Sequence, residues 1–145
     1  MKLSTRAIYG ARLMISLARH YGHGSVFLRE IAQEEDISEK YLSLIILSLR
    51  SADLVNSTRG AKGGYTLSRP PAQITLRQII EVFEGKCLVD CLKNPASCPR
   101  VYRCASRDVW ALLEGKIFET LESINLEQMV EAHRRKTEEN VMNNI

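Results

Sequence analysis

At 145 residues the chain suits one compact domain with room for a core and a helical appendage. Its residues are 45% hydrophobic and 26% charged, as in an ordinary globular protein, and no apolar run approaches the roughly 20 residues that cross a bilayer, which excludes a membrane span and argues against a membrane partner. The net charge of +3 is unevenly spread: residues 1–79 hold 11 Lys/Arg against 6 Asp/Glu, a net of +5, and residues 80–145 hold 9 against 11, a net of −2. Such asymmetry fits either scattered surface charge or a first half that meets a polyanion.

The opening Met1-Lys2-Leu3-Ser4-Thr5-Arg6 lacks the apolar h-region of a signal peptide, so the expected compartment is the cytoplasm. Disulfides are rare there, and Cys87, Cys91, Cys98 and Cys104 read as metal ligands or redox-active thiols. Ile8, Ala11, Ile15 and Ala18 form a helical stripe that Gly22 and Gly24 bring to an end. Leu28, Ile31 and Ala32 mark a second, short helix. Asp36 lies in a tight turn, and Ser38 is a good N-cap for a third helix that buries Leu42, Ile45, Ile46 and Leu49. Two short helices joined by such a turn form a helix-turn-helix pattern.

Leu54-Val55 and Tyr65-Thr66-Leu67 read as strands on either side of a segment carrying Gly60, Gly63 and Gly64, which permit positive φ and close backbone approach. Arg59 and Lys62 at the tip of this hairpin are placed for phosphates or a minor groove. Such a hairpin reads either as a solvated turn that needs its glycines or, directly after a helix pair and with a basic tip, as a DNA-binding wing, which is the favoured reading.

Pro70-Pro71 breaks the chain, and Thr75 with Gln78 forms a capping box for a helix burying Leu76, Ile79, Ile80 and Phe83. Glu84-Gly85 ends that helix. A loop interrupted by Pro95 and Pro99 then carries Cys91-x6-Cys98-x5-Cys104. That spacing is too open for paired zinc ligands and suits an iron–sulfur cluster, 2Fe–2S or 4Fe–4S, held by thiolates on a loop. From about Ser106 a long helix carries Trp110, Leu113, Ile117, Leu121 and Ile124 on a narrow coiled-coil-like seam, which either packs on its own domain or, as the favoured reading, pairs with a second copy in a homodimer. A last short helix starts at Asn125, and the polar end from Glu138 to Ile145 is expected to fray.

Several of these segments resemble the IscR/NsrR/CymR-type winged helix-turn-helix regulators, the Rrf family. The similar stretches are Met1 to Gly10, Ile37-Ser38-Glu39-Lys40-Tyr41-Leu42, Arg59-Gly60-Ala61-Lys62-Gly63-Gly64-Tyr65, Ile74-Thr75-Leu76 and Glu84-Gly85. The resemblance runs from residue 1 to about 130 and implies a mainly α winged helix-turn-helix with a small β-hairpin wing and a long dimerisation helix. It implies a homodimeric transcription regulator, usually a repressor, that binds double-stranded DNA. Residues 1–84 are then the DNA-binding domain, 85–105 the cysteine-rich cofactor loop, and 106–145 the dimerisation helix and tail. Ser38, Glu39, Lys40, Tyr41 and Ser43 are expected to face the major groove, with Arg59, Gly60 and Lys62 at the wing.

Cys91, Cys98 and Cys104 match the cluster-binding loop of the iron–sulfur branch. Relatives that complete the site with a His three residues after the last cysteine, or with a partner's carboxylate near the eighth residue, differ from this chain, which has Arg107 and Ile8 at those places. A guanidinium has no free lone pair and Ile has no donor, so neither ligates iron. Cys87 is the candidate fourth ligand, and its competing reading is a small buried hydrophobe. The alternative to cluster control is a cluster-free regulator of the same fold, governed by thiol oxidation or by docking to a metabolic enzyme. There is no catalytic triad, P-loop or dinucleotide fingerprint, so neither an enzyme nor a small-molecule substrate is expected.

Overall fold

The computed structural model describes residues 1–145. Helix α1 (Thr5–Arg19) begins where the Ser4 side chain accepts a hydrogen bond from the Ala7 N–H. Helices α2 (Leu28–Glu35) and α3 (Glu39–Ser51) follow, then an antiparallel hairpin of β1 (Val55–Thr58) and β2 (Gly64–Leu67) in the register Val55 opposite Leu67. Helix α4 (Leu76–Glu84) starts at the expected Thr75–Gln78 capping box and stops at Gly85, whose φ of 80° suits a residue without a side chain. Helix α5 (Asp90–Lys93) is a single turn, α6 (Ala105–Ser123) is the long helix, and α7 (Leu126–Asn143) closes the chain.

One hydrophobic core serves the first half. Leu13, Met14 and Leu17 of α1, Ile31 of α2, and Leu42, Ile45, Ile46 and Leu49 of α3 meet Val26, Ile74, Ile79 and Leu126. Each such side chain contributes about 1.5–3 kcal/mol by leaving water. Polar ties fix α2 against α1: Arg12 pairs with Glu35 at 3.0 Å, and the buried Ser16 hydroxyl donates to Glu34 at 3.3 Å.

Two expectations need correction. The buried face of α1 is Ala7, Gly10, Leu13, Met14 and Leu17, with Ala18 at its margin, while Ile8 is exposed and Ala11 and Ile15 are half-buried. Two apolar stripes compete on this helix, and the larger side chains won the core. The last helix is not short either. It runs to Asn143, because residues 134–139 are mostly Arg, Lys and Glu, and Arg134 is paired with Glu131 at 2.8 Å and Glu138 at 2.7 Å.

Candidate nucleic-acid interface and cysteine loop

The turn between α2 and α3 is set by Asp36, which closes α2 in the left-handed region at φ 51°. Ser38 then caps α3, its hydroxyl accepting from the Tyr41 N–H at 3.3 Å. With Leu42, Ile45, Ile46 and Leu49 buried, the 3.6-residue period turns Glu39, Lys40 and Ser43 to solvent, and Ser38 is exposed beside them. The Ser43 hydroxyl donates to the Glu39 carbonyl at 2.9 Å. Tyr41 differs from this group: it is half-buried, with its ring edge-on to Tyr9 at 5.7 Å. Its ring braces α3 against α1 as well as bordering the exposed face.

The wing is held to the body by a bridge between Val26 and Tyr65, with N–H···O distances of 3.0 and 2.8 Å. Gly64 has φ 131°, and a Cβ there would strike the Val26 carbonyl, so the bridge requires glycine. Gly60 has φ 102° at the tip, where Arg59, Gly60 and Lys62 are all exposed. Between α3 and the wing lies a cleft of about 510 Å³ whose lining includes Arg29, Arg50 and Arg59 together with Glu39 and Ser43. The Arg29 guanidinium sits 5.0 Å from the Phe27 ring centre. None of these three arginines has an ion-pair partner. Arg29 and Arg50 were not among the residues read from sequence. Arg50 could have been found, since it follows Glu39 and Ser43 on one stripe of α3. Arg29 could not, because its nearness to the wing depends on the Val26–Tyr65 bridge.

The cysteine loop is built of single turns. Cys91 lies in α5, Cys98 follows a turn at Pro95–Ser97, and Cys104 is the N-cap of α6. All four cysteines are free thiols of intermediate exposure. The Cys104 thiol is pulled below its ordinary pKa, first by the Ser106 hydroxyl at 3.1 Å, then by the Arg107 backbone N–H, with a smaller contribution from Arg100. Cys87 donates to the Val89 carbonyl at 2.7 Å and lines an apolar groove with Leu3, Leu88, Ile117 and Leu121. It is half-buried there, not the fully buried residue of the competing reading. In donor type the three loop thiols fit iron. In arrangement they do not: no three Cys, His, Asp or Glu side chains are grouped closely enough to hold a metal. The exposed Ile8 adds no donor, and the Arg107 Nε is buried without a hydrogen-bond partner.

Beyond the loop, α6 is anchored on the body at its C-terminal half and touches only the cysteine loop at its N-terminal half. Arg77 of α4 lies 2.7 Å from Glu81 and 3.9 Å from Glu122, with its guanidinium 4.8 Å from the Phe118 ring centre. The Leu76 N–H donates to the Ile124 carbonyl at 2.8 Å, and the Leu126 N–H to Ile74 at 2.9 Å. Ile117, Leu121 and Ile124, the lower part of the seam, are half-buried. Val109, Trp110, Leu112 and Leu113 are exposed, and α6 contains no buried residue at all. No helix is long and apolar enough to cross a membrane.

Comparison with known proteins gives a consistent result. Residues 3–132 match the family described as Rrf2, iron-dependent transcriptional regulator. The HTH-type transcriptional regulator CymR of Bacillus subtilis is 39% identical over 129 residues, covering 89% of each chain. The HTH-type transcriptional regulator IscR of Sodalis glossinidius is 32% identical over 130 residues, 90% of this chain and 79% of the relative. Among solved structures, CymR, the global cysteine regulator of B. subtilis, superposes with a TM-score of 0.76 at 38% identity, over 91% of this chain and 98% of that one. IscR of T. potens gives 0.75 at 38% identity, over 92% and 88%.

Proposed function

The chain belongs to the Rrf2 family of DNA-binding transcription regulators, which are not enzymes, and from that premise we propose that it acts as a cytoplasmic homodimeric repressor governed by its cysteine loop. The observation that carries DNA reading is the exposed face of α3 standing beside a wing across a cleft lined by three unpaired arginines. Helix α3 enters the major groove with Ser38, Glu39, Lys40 and Ser43, and Arg59, Gly60 and Lys62 meet the minor groove and the phosphates. A dimer then protects a pseudo-palindrome with half-sites one or more helical turns apart. Arg59→Ala weakens binding and lowers the preference for A·T-rich sequence under the wing. Equal affinity of variant and wild type at one salt concentration overturns the wing assignment.

Dimerisation through α6 is supported by the exposed Val109, Trp110, Leu112 and Leu113, a cluster a soluble monomer has no reason to leave in water. For the loop, the ligand proposed is an iron–sulfur cluster that would have to draw Cys91, Cys98 and Cys104 together from their dispersed positions, supported by thiolate chemistry, by nearby Arg100, Arg103 and Arg107, and by likeness to IscR proteins. Such a cluster supplies an oxidant-labile, electron-accepting centre when bound. A second reading, a cluster-free thiol switch, is favoured by the dispersed thiols and the lowered pKa of Cys104. Anaerobic absorption spectra with iron and sulfide analysis separate the two. Colour lost in Cys91→Ala, Cys98→Ala and Cys104→Ala supports the cluster, and colourless wild-type protein supports the thiol switch. Cys87→Ser is expected to keep the cluster spectrum, and a spectrum collapsing as in Cys98→Ala makes Cys87 a ligand.

A further inference from the structure

The outward face of α3 carries two large apolar side chains among its polar ones. Leu44 is 57% exposed and Leu47 is 52% exposed, whereas Leu42, Ile45, Ile46 and Leu49 on the opposite side are at 0–1%. Helical periodicity sets Leu44 one turn beyond Lys40 and directly after Ser43, on the same solvent-facing side. Leu47 lies a turn further along and borders a shallow hollow with Ser51 and Val82. Neither leucine packs on the core, and the dimer-forming surface already has its own apolar cluster on α6.

An exposed leucine in the N-terminal half of a helix that enters a major groove has one chemical complement there. Among the four bases only thymine presents a hydrophobic group in that groove, its 5-methyl. Serines, Lys40 and Glu39 around it read hydrogen-bonding edges and phosphates, and none of them favours a methyl group over a hydrogen.

We propose that Leu44 is a specificity-determining residue that packs on a thymine methyl group in each operator half-site. The inference rests on the placement of α3 in the major groove proposed above. Burying one methyl group contributes about 0.8 kcal/mol, close to a fourfold change in affinity.

The test uses the full-length protein and a duplex that it selects from a random DNA pool. Thymines in each half-site are replaced one at a time by uracil, which removes the methyl and keeps the base pair. Wild type is expected to lose about fourfold in affinity at one thymine per half-site. Leu44→Ala is expected to bind the thymine and uracil duplexes equally, and Leu44→Met to restore the difference. A flat uracil scan with wild type overturns the proposal, as does a methyl dependence that persists in Leu44→Ala. Dissociation of the dimer by Leu44→Ala without a methyl effect assigns the patch to the partner subunit and overturns it too. If wild type selects no duplex at all, the DNA-binding reading itself fails, a result distinct from a flat scan.

Discussion

The DNA-reading body and the arm that follows it are built to opposite rules. The body gathers 18 buried apolar residues from α1 to α4 and from the first residue of α7 into one cluster. The arm, from Gly85 to Asn125, contains no buried residue. Its cysteine loop is tied to α6 by contacts such as the Leu88 N–H donating to Glu114 at 2.7 Å, and half of α6 lies in solvent. The body is therefore complete within one chain. The arm has its shape only in outline, and the second copy and loop ligand proposed above are what would complete it. Elements that move in regulation are drawn from the least stable parts of a fold, and in this chain that part is the arm.

The largest test of this contrast is in the body. Ile45→Ala should lower the unfolding free energy by about 2–5 kcal/mol, read by denaturant titration, because the cavity cannot collapse among Leu42, Leu49 and Leu13. Leu112→Ala in the arm should leave the same titration within about 0.5 kcal/mol at concentrations where the chain is monomeric. Matching losses would erase the distinction. Next, Trp110→Ala should weaken the dimer by about 2 kcal/mol, near thirtyfold in dissociation constant, with the monomer's thermal melt unchanged. Sedimentation equilibrium checks this, and an unaltered dimer would move the interface off the upper half of α6.

A smaller effect sharpens the picture inside the loop. In reduced, metal-free protein Cys104 should alkylate fastest of the four cysteines at neutral pH. Its lowered pKa leaves more thiolate there, so its rate profile should rise below the ordinary thiol range. Mass mapping of iodoacetamide-labelled peptides reads the order directly, and a Cys104 that reacts last contradicts it. The smallest effect concerns the root of the arm. Glu84 accepts from the Ser4 N–H at 2.7 Å, and hydrogen bonds from Ser4 hold its carboxyl below the ordinary carboxylate range. A depressed folded-state pKa gives stability that is full above the unfolded value and lost as pH falls through the folded one. Glu84→Gln should flatten that acid limb in melting temperature against pH and leave the neutral region nearly unchanged.

The sequence was legible where one local rule decided the outcome. Ser38, Thr75 and Asn125 announce the starts of α3, α4 and α7, because a capping oxygen satisfies backbone N–H groups whatever surrounds it. The wing glycines were legible for the same reason, although Gly63 is needed for the crowding around it and not for positive φ. The face of α1 was not, since Ile8 and Leu13 are equally apolar and only the packed neighbours choose between their stripes. The seam of α6 reads as continuous, yet Ile117 and Leu121 pack on their own body while Trp110 and Leu113 do not. Periodicity reports that a face is apolar and is silent about what covers it. The same gap separates the cysteine spacing, plain in the sequence, from the convergence of the thiols, which is a three-dimensional property of a loop with no core.

Gly10 lies mid-way along α1 against the Phe83 ring, where a Cβ would overlap the ring. Phe83 is in the last turn of α4, directly before the arm begins. In mechanical terms this contact is a fulcrum: α6 extends about 28 Å at 1.5 Å per residue, so a small tilt at Phe83 becomes a displacement of several ångströms at the far end of the lever. One methyl group added at position 10 would press on the Phe83 ring and so on α4, against which α6 is anchored, while leaving every thiol and every exposed α3 side chain as it was.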